Sequence, residues 1–300
     1  MLVLASQLIT TFQAIVLGII QGITELFPIS SLGHTVLLPN LFGWDNIVAW
    51  QRETNSPWLA FLVMLHVGSA VGLLIYFWRD WVAIIKAFFA TLGKRRVDTP
   101  TERLAWLIIC ATIPTAILAV ALERVVRDAT ARPLVAAIFL VVNGFILLGA
   151  EQLRKRSEVR ALARREGMKD DGGRKLDTLD YREAGVLGVA QSGALIAGIS
   201  RDGMCMATGL VRGLDNSDAG RFAFLLATPI ILAAGVYKIG DLTGPAGNGV
   251  RGEAFIAAIF AAIFAILSVH FLTRFFRKGN LNPFGIYCLG FGAAMVIYNA

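Results

Sequence analysis

Apolar stretches long enough to cross a bilayer alternate along this chain with short charged segments. Trp58 to Trp78 runs 21 residues without a Lys, Arg, Asp or Glu, with His66 inside it. Ala105 to Leu122, Pro133 to Ala150 and Ala254 to Leu272 are similar runs of 18, 18 and 19 residues. A hydrocarbon core of about 30 Å needs about 20 residues of helix, so each run predicts a transmembrane span. Phe222 to Tyr237 and Pro283 to Tyr298, 16 residues each, bring the predicted spans to six. Their expected limits are about 58–78, 104–122, 133–152, 222–238, 254–273 and 283–299.

Two more apolar stretches break this pattern. Residues 14–33 and 184–203 align without a gap at an offset of 170. Identical pairs include Gly18/Gly188, Gln21/Gln191, Ser30/Ser200 and Gly33/Gly203, eight matches in twenty positions. Each copy runs for about 16 apolar residues and then turns polar and Gly-rich. A stretch that is short and polar at one end fits a re-entrant helical hairpin, because irregular backbone at membrane depth survives only where protein or water surrounds it. Three predicted spans separate the copies, and an odd number inverts the second against the first. The expected architecture is therefore an all-α polytopic membrane protein built from two inverted-topology repeats. Residues 1–152 hold a hairpin at about 11–34 and three spans. Residues 183–300 hold a hairpin at about 184–204 and three more.

Composition agrees with this class. Hydrophobic residues make up 56% of the chain and charged ones 16%, against roughly 25% charged in an average soluble domain. Three scattered cysteines exclude a disulfide framework or a cysteine metal cluster. The start of the chain lacks a basic n-region and a small-residue cleavage site, so no removable signal peptide is expected. The net charge of +7 belongs to loops rather than to a nucleic-acid surface. Ten Lys and Arg lie between Arg154 and Arg182 and six between Arg79 and Arg103, whereas the 241–253 loop holds only Arg251. Basic loops face the cytoplasm. This places the 153–182 linker inside the cell, and both termini with the 35–57 and 241–253 loops outside.

The chemistry gathers at the hairpin tips. The first carries Gln21, Glu25, Ser30, Ser31, Gly33 and His34, and the second Ser200, Arg201, Asp202 and Gly203. Ionisable groups within a membrane are costly and read first as functional. Ser30 and Ser31 follow Pro28, where a new helix begins and its free amides make an anion site. Arg201 offers paired planar donors suited to phosphate, and Glu25 and His34 are proton-transfer candidates. A hydroxyl, a base, an acid, an arginine and an amide nest together suit phosphoryl transfer. A structural reading stands beside this one. Ser30 and Ser200 also suit helix caps, Gln21 and Gln191 can bridge hairpin backbone, and Arg201 with Glu25 can be an ion pair locking the hairpins together. Asp202 can be no more than a partner of Arg201, and His66 and His270 suit packing roles.

At these residues the chain resembles the undecaprenyl-pyrophosphate phosphatase family, the integral membrane type tied to bacitracin resistance. The match is strongest at Gln21-Gly-Ile-Thr-Glu25-Leu-Phe-Pro28-Ile-Ser30-Ser31-Leu-Gly33-His34, with support at Gly68-Ser69, Ile113-Pro114 and Phe222 to Pro229. The second motif departs. Where the family has Pro-Gly-x-Ser-Arg-Ser-Gly-x-Thr, this chain has Ala197-Gly198-Ile199-Ser200-Arg201-Asp202-Gly203-Met204-Cys205. The resemblance implies hydrolysis of undecaprenyl diphosphate at the outer face of the bacterial cytoplasmic membrane, recycling the lipid carrier for cell-wall synthesis. It implies catalytic roles for Glu25, Ser31, His34 and Arg201. Substrate contacts would come from Gln21, Ser30, Gly33, Ser200 and Gly203. A divalent cation, Mg or Ca, would sit on Glu25. Either Ser31 or His34 would be the nucleophile, with Ser31 favoured by the motif. Three rivals remain from the sequence alone: a lipid-carrier flippase or transporter, a non-catalytic lipid-binding subunit, and a phosphatase for another polyprenyl diphosphate.

Overall fold

The computed structural model describes residues 9–52, 57–130, 132–164, 174–237, 240, 244 and 249–300. Among them there are twelve α-helices and no strand. α1 (Thr11–Thr24) and α2 (Ser31–Leu41) form the first hairpin, and the short α3 (Asp45–Arg52) follows. α4 (Trp58–Tyr76), α5 (Trp78–Lys94), α6 (Pro100–Thr130) and α7 (Pro133–Arg164) complete the first half. α8 (Tyr181–Gln191) and α9 (Arg201–Val211) form the second hairpin. α10 (Asn216–Tyr237), α11 (Arg251–Phe275) and α12 (Asn282–Asn299) end the chain.

Five of these helices, α4, α6, α7, α10 and α11, are long and apolar enough to cross a membrane. α12 is 18 residues long and carries Asn, Pro and Tyr that dilute its apolarity, and it lies along α7. Both hairpins start at a capping box, Thr10 with Gln13 and Asp180 with Glu183, which satisfies the first free amides of α1 and α8.

Two expectations about loops change. Residues 79–103, expected as a basic loop, hold α5, which shows Val82, Ile85, Phe89 and Leu92 on its exposed surface. The basic residues had masked this apolar periodicity. The 153–182 segment is not a single solvated linker. Residues 153–164 continue α7, 165–173 lie outside the described residues, and 174–182 dock on the protein. Arg174 pairs with Glu183 at 2.7 Å, Lys175 with Asp215 at 2.8 Å, and Asp218 accepts the Leu176 amide at 2.8 Å. The 241–253 loop falls largely outside the described residues.

Small residues decide how the helices meet. Lipid tails are as apolar as side chains, so helices in a bilayer associate through close packing. A Cβ on Gly18 or Gly22 of α1 would strike the carbonyl oxygen of Ala257 or Ala261 in α11. Gly68 and Gly72 of α4 press likewise on Ala258 and Ala262, one position further round the same helix. Thus α11 is gripped on two faces. In the other half, Gly188 of α8 meets the Ala111 carbonyl of α6. The first hairpin therefore leans on a helix from the second half, and the second hairpin on one from the first. This exchange brings the two polar tips together.

Candidate active site

Between α1 and α2 the chain turns over residues 25–30, and Ser30 takes φ 69° and ψ 98°. A non-glycine residue rarely adopts positive φ, and such strain persists only where neighbours hold it. Here the Ser30 hydroxyl accepts the amides of Gly33 at 3.2 Å and of Gly198, in the second hairpin, at 3.1 Å. Gly198 itself has φ +103°, and a Cβ there would collide with the Ala136 carbonyl. Gly33 lies close against Gly198 as well, where a Cβ would come within 3.1 Å of the Gly198 backbone. Ser200 caps α9 by accepting the Gly203 amide at 3.0 Å. Ser30 and Ser200 are thus caps, and Gly33 and Gly203 donate to them.

Asn143 joins the two turns. Its Nδ2 donates to the Pro28 carbonyl at 2.9 Å, and its Oδ1 accepts the Ser200 amide at 3.0 Å. It is fully buried in α7, and the sequence reading passed over it. The available signal was a lone amide inside an otherwise apolar span.

Glu25 is the centre of the cluster. Its Oε2 accepts Ser31 Oγ–H at 2.5 Å and Gln21 Nε2 at 3.0 Å, and its Oε1 accepts Arg201 Nη2 at 2.9 Å. Gln21 and Glu25 stand one helical turn apart, so α1 presents both on one face. Arg201 also pairs with Asp202 at 3.2 Å. The side chains of Arg201 and Glu25 are 13% and 5% exposed, and that of Asp202 is fully buried. Arg201 Nη1 and both Asp202 oxygens lack a hydrogen-bond partner among the described residues.

Glu25, Ser30, Ser31, Ser200 and Arg201 line one end of a cavity of about 380 Å³. The rest of its wall is largely apolar, with Leu59, Leu62 and Val63 from α4 and Ile230, Ile231 and Ala234 from α10. Gln191 and Thr115 also reach the cavity, bonded to each other at 2.8 Å. His66, expected as a packing residue, lines it too, with Nε2 3.5 Å from Glu25 Oε2.

His34 faces the other way. Its Nδ1 bonds to the Ser30 carbonyl and its Nε2 to Tyr287 Oη, both at 2.8 Å, and its ring stacks on Tyr287 and Phe291. With both nitrogens engaged and the ring between aromatics, it is fastened to α12 rather than presented to the cavity. The sequence could not separate these fates, because His34 and Ser31 lie on one turn of α2.

Among the described residues no three His, Cys, Asp or Glu side chains come together as a metal site. The hard donors near Glu25 are its own carboxylate and the buried, unpartnered amide oxygen of Gln21. That pair suits a Mg or Ca ion which draws its other ligands from phosphate and water.

A family model described as bacitracin resistance protein BacA matches residues 14–294. The chain is 47% identical to the undecaprenyl-diphosphatase 2 of Frankia alni, over 96% of this chain and 98% of that one. It is 47% identical to the undecaprenyl-diphosphatase of Mycolicibacterium paratuberculosis, over 96% and 97% of the two chains. The undecaprenyl-diphosphatase of Acidiphilium cryptum is 39% identical over 96% of this chain and 98% of its own.

Proposed function

The chain belongs to the BacA family of bacitracin resistance proteins, and from that premise we propose how its site works. The protein hydrolyses undecaprenyl diphosphate to undecaprenyl phosphate and inorganic phosphate, which returns the lipid carrier to cell-wall synthesis. The reaction runs at the outer face of the cytoplasmic membrane, a side supported by the distribution of basic residues.

One observation carries the mechanism: a buried guanidinium nitrogen, Arg201 Nη1, lacks a hydrogen-bond partner among the described residues, beside a serine already hydrogen-bonded to a carboxylate. An unmade bond at a buried cation is expensive, and a phosphate oxygen would complete it. Ser31 Oγ attacks the terminal phosphorus while its proton passes to Glu25 Oε2. The bond from that phosphorus to the bridging oxygen breaks, and the lipid monophosphate leaves. Glu25 gives that proton to the departing lipid phosphate and is again a carboxylate. Water then attacks the phosphoserine, losing a proton to Glu25 Oε2, which returns it to Ser31 Oγ as the bond from phosphorus to that oxygen breaks and inorganic phosphate departs. Arg201 stabilises charge on the equatorial oxygens throughout. Glu25 and Gln21 Oε1 would hold a divalent cation, which when bound neutralises phosphate charge. His34 keeps α2 seated on α12, and the apolar wall between α4 and α10 receives the prenyl chain.

Phosphate release by the purified protein in detergent tests this reading. Release from a long-chain polyprenyl diphosphate is expected. Tight binding or tracer exchange in liposomes without release would support a binding subunit or a transporter instead.

A further inference from the structure

The 17 residues of α5 rise about 25 Å, yet both ends of the helix stay on one side of the protein. Pro100 and Thr101 of α6 line one cavity of about 350 Å³ together with Asp218 and Arg221 of α10, so these two spans start at the same level. Asp80, in the first turn of α5, pairs with Arg221 at 2.5 Å. Lys94, in its last turn, pairs with Glu102, in the first turn of α6, at 2.8 Å. Hence α5 lies across the starts of two spans instead of running along one.

The surface of α5 divides three ways. Ile84 and Thr91 are buried against the protein, where Thr91 Oγ1 accepts Trp106 Nε1–H at 3.0 Å. Trp78, Val82, Ile85, Phe89 and Leu92, spaced 4, 3, 4 and 3 apart, make one open apolar face, each 44–64% exposed. Arg79 and Lys86, two helical turns apart, fill the strip beside that face. Both are exposed and, among the described residues, have no carboxylate partner. Arg79 also lies over the Trp78 ring at 5.2 Å. Lys86 stands at the middle of the helix, where a span would hold its charge deep in hydrocarbon at high cost. A helix lying in the membrane interface keeps an apolar face in the chains and its cations among the headgroups. We infer that α5 lies flat in the leaflet at the basic end of the spans, the cytoplasmic one in the orientation proposed above, where Arg79 and Lys86 bind the headgroup of an anionic phospholipid. Charge complementarity selects that lipid: two unpaired cations flank the apolar face, and a zwitterionic headgroup brings them no net negative charge. This surface is separate from the active-site cavity, and the inference does not rest on the proposed chemistry.

Fluorescence quenching at α5 reads depth and lipid preference together. A fluorophore is placed on Val82→Cys, Ile85→Cys or Phe89→Cys in separate preparations of the full chain, each with Cys110→Ala because Cys205 and Cys288 are buried. The protein is reconstituted in phosphatidylcholine vesicles that carry nitroxides on the chains of either phosphatidylglycerol or phosphatidylcholine. The three positions should be quenched at one shared depth, since they lie on one face of a flat helix. Each basic residue near an anionic surface favours it about fivefold, so phosphatidylglycerol should quench with roughly twenty- to thirtyfold higher affinity than phosphatidylcholine. Arg79→Gln with Lys86→Gln should bring the two lipids to near parity while the melting temperature stays at the parent's value. A depth that changes by about 10 Å from position 82 to 89, as along a crossing helix, overturns the inference. So does quenching by neither lipid, the result expected if a second copy of the chain covers this face. Equal quenching by both lipids in the parent, or a preference that survives in the double variant, overturns it as well.

Discussion

Removing the arginine separates catalysis from the locking of the hairpins. Arg201→Ala deletes the cation that pairs, among the described residues, with both Glu25 and Asp202, at 2.9 and 3.2 Å. Breaking a buried ion pair from one side typically costs about 3–5 kcal/mol, because a charge is left uncompensated. The two carboxylates differ in what they have left. Glu25 retains Ser31 and Gln21 as donors, whereas the oxygens of Asp202 have no hydrogen bond to fall back on. Arg201→Ala should thus melt several degrees low, and Arg201→Ala with Asp202→Asn should regain most of that loss. Turnover should behave differently. Loss of a comparable electrostatic donor lowers rates by about 10²–10³, and the double variant should remain as slow as the single one. Differential scanning fluorimetry and phosphate release on the same preparations provide both readings. If activity returns with stability in the double variant, Arg201 is a lock and not a participant.

Asn143→Leu removes the bridge between Pro28 and Ser200 and should lower both stability and turnover, by about 1–3 kcal/mol for the orphaned backbone groups, read as a melting shift and a rate loss in one preparation. Gly188→Leu drives a side chain into the Ala111 carbonyl and should abolish a monodisperse elution peak, whereas Gly185→Leu, in open space on the same helix, should elute normally. On the docked segment after the linker, the Arg174 guanidinium holds Glu183 down to about 2 from its usual 4.5. A lowered carboxylate pKa stabilises the fold above 4.5 and loses that contribution as pH falls towards 2. Limited proteolysis near residue 174 should therefore rise across that window, and Glu183→Gln should show the raised rate already at pH 7.

Much of the architecture was legible because its causes are local. Charge-free runs of span length, and the helix start at Ser-Ser after a proline, each follow from a few neighbouring residues. Glu25, Ser30, Ser31 and Arg201 stood out as candidates for the same reason, since polar groups are conspicuous at the end of an apolar stretch, and the fold brings them to one cavity. The misses share a different cause. Asn143 meets Pro28 across 115 positions and Ser200 across 57, and no local pattern marks that bridge. His34 bonds to Tyr287 and stacks on Tyr287 and Phe291 of α12, more than 250 positions away, and α4 brings His66 to the cavity wall beside Glu25. Helix α5 was hidden because its basic residues gave it the look of a loop while its apolar ones fall on one helix face.

The most direct test compares the parent protein with Ser31→Ala on undecaprenyl diphosphate, as phosphate released per mole of folded protein in detergent. The account predicts steady release by the parent. In Ser31→Ala it predicts a rate below about a hundredth of that, at least 2.7 kcal/mol of barrier, with an unchanged melting temperature. Equal rates from the two proteins would contradict it.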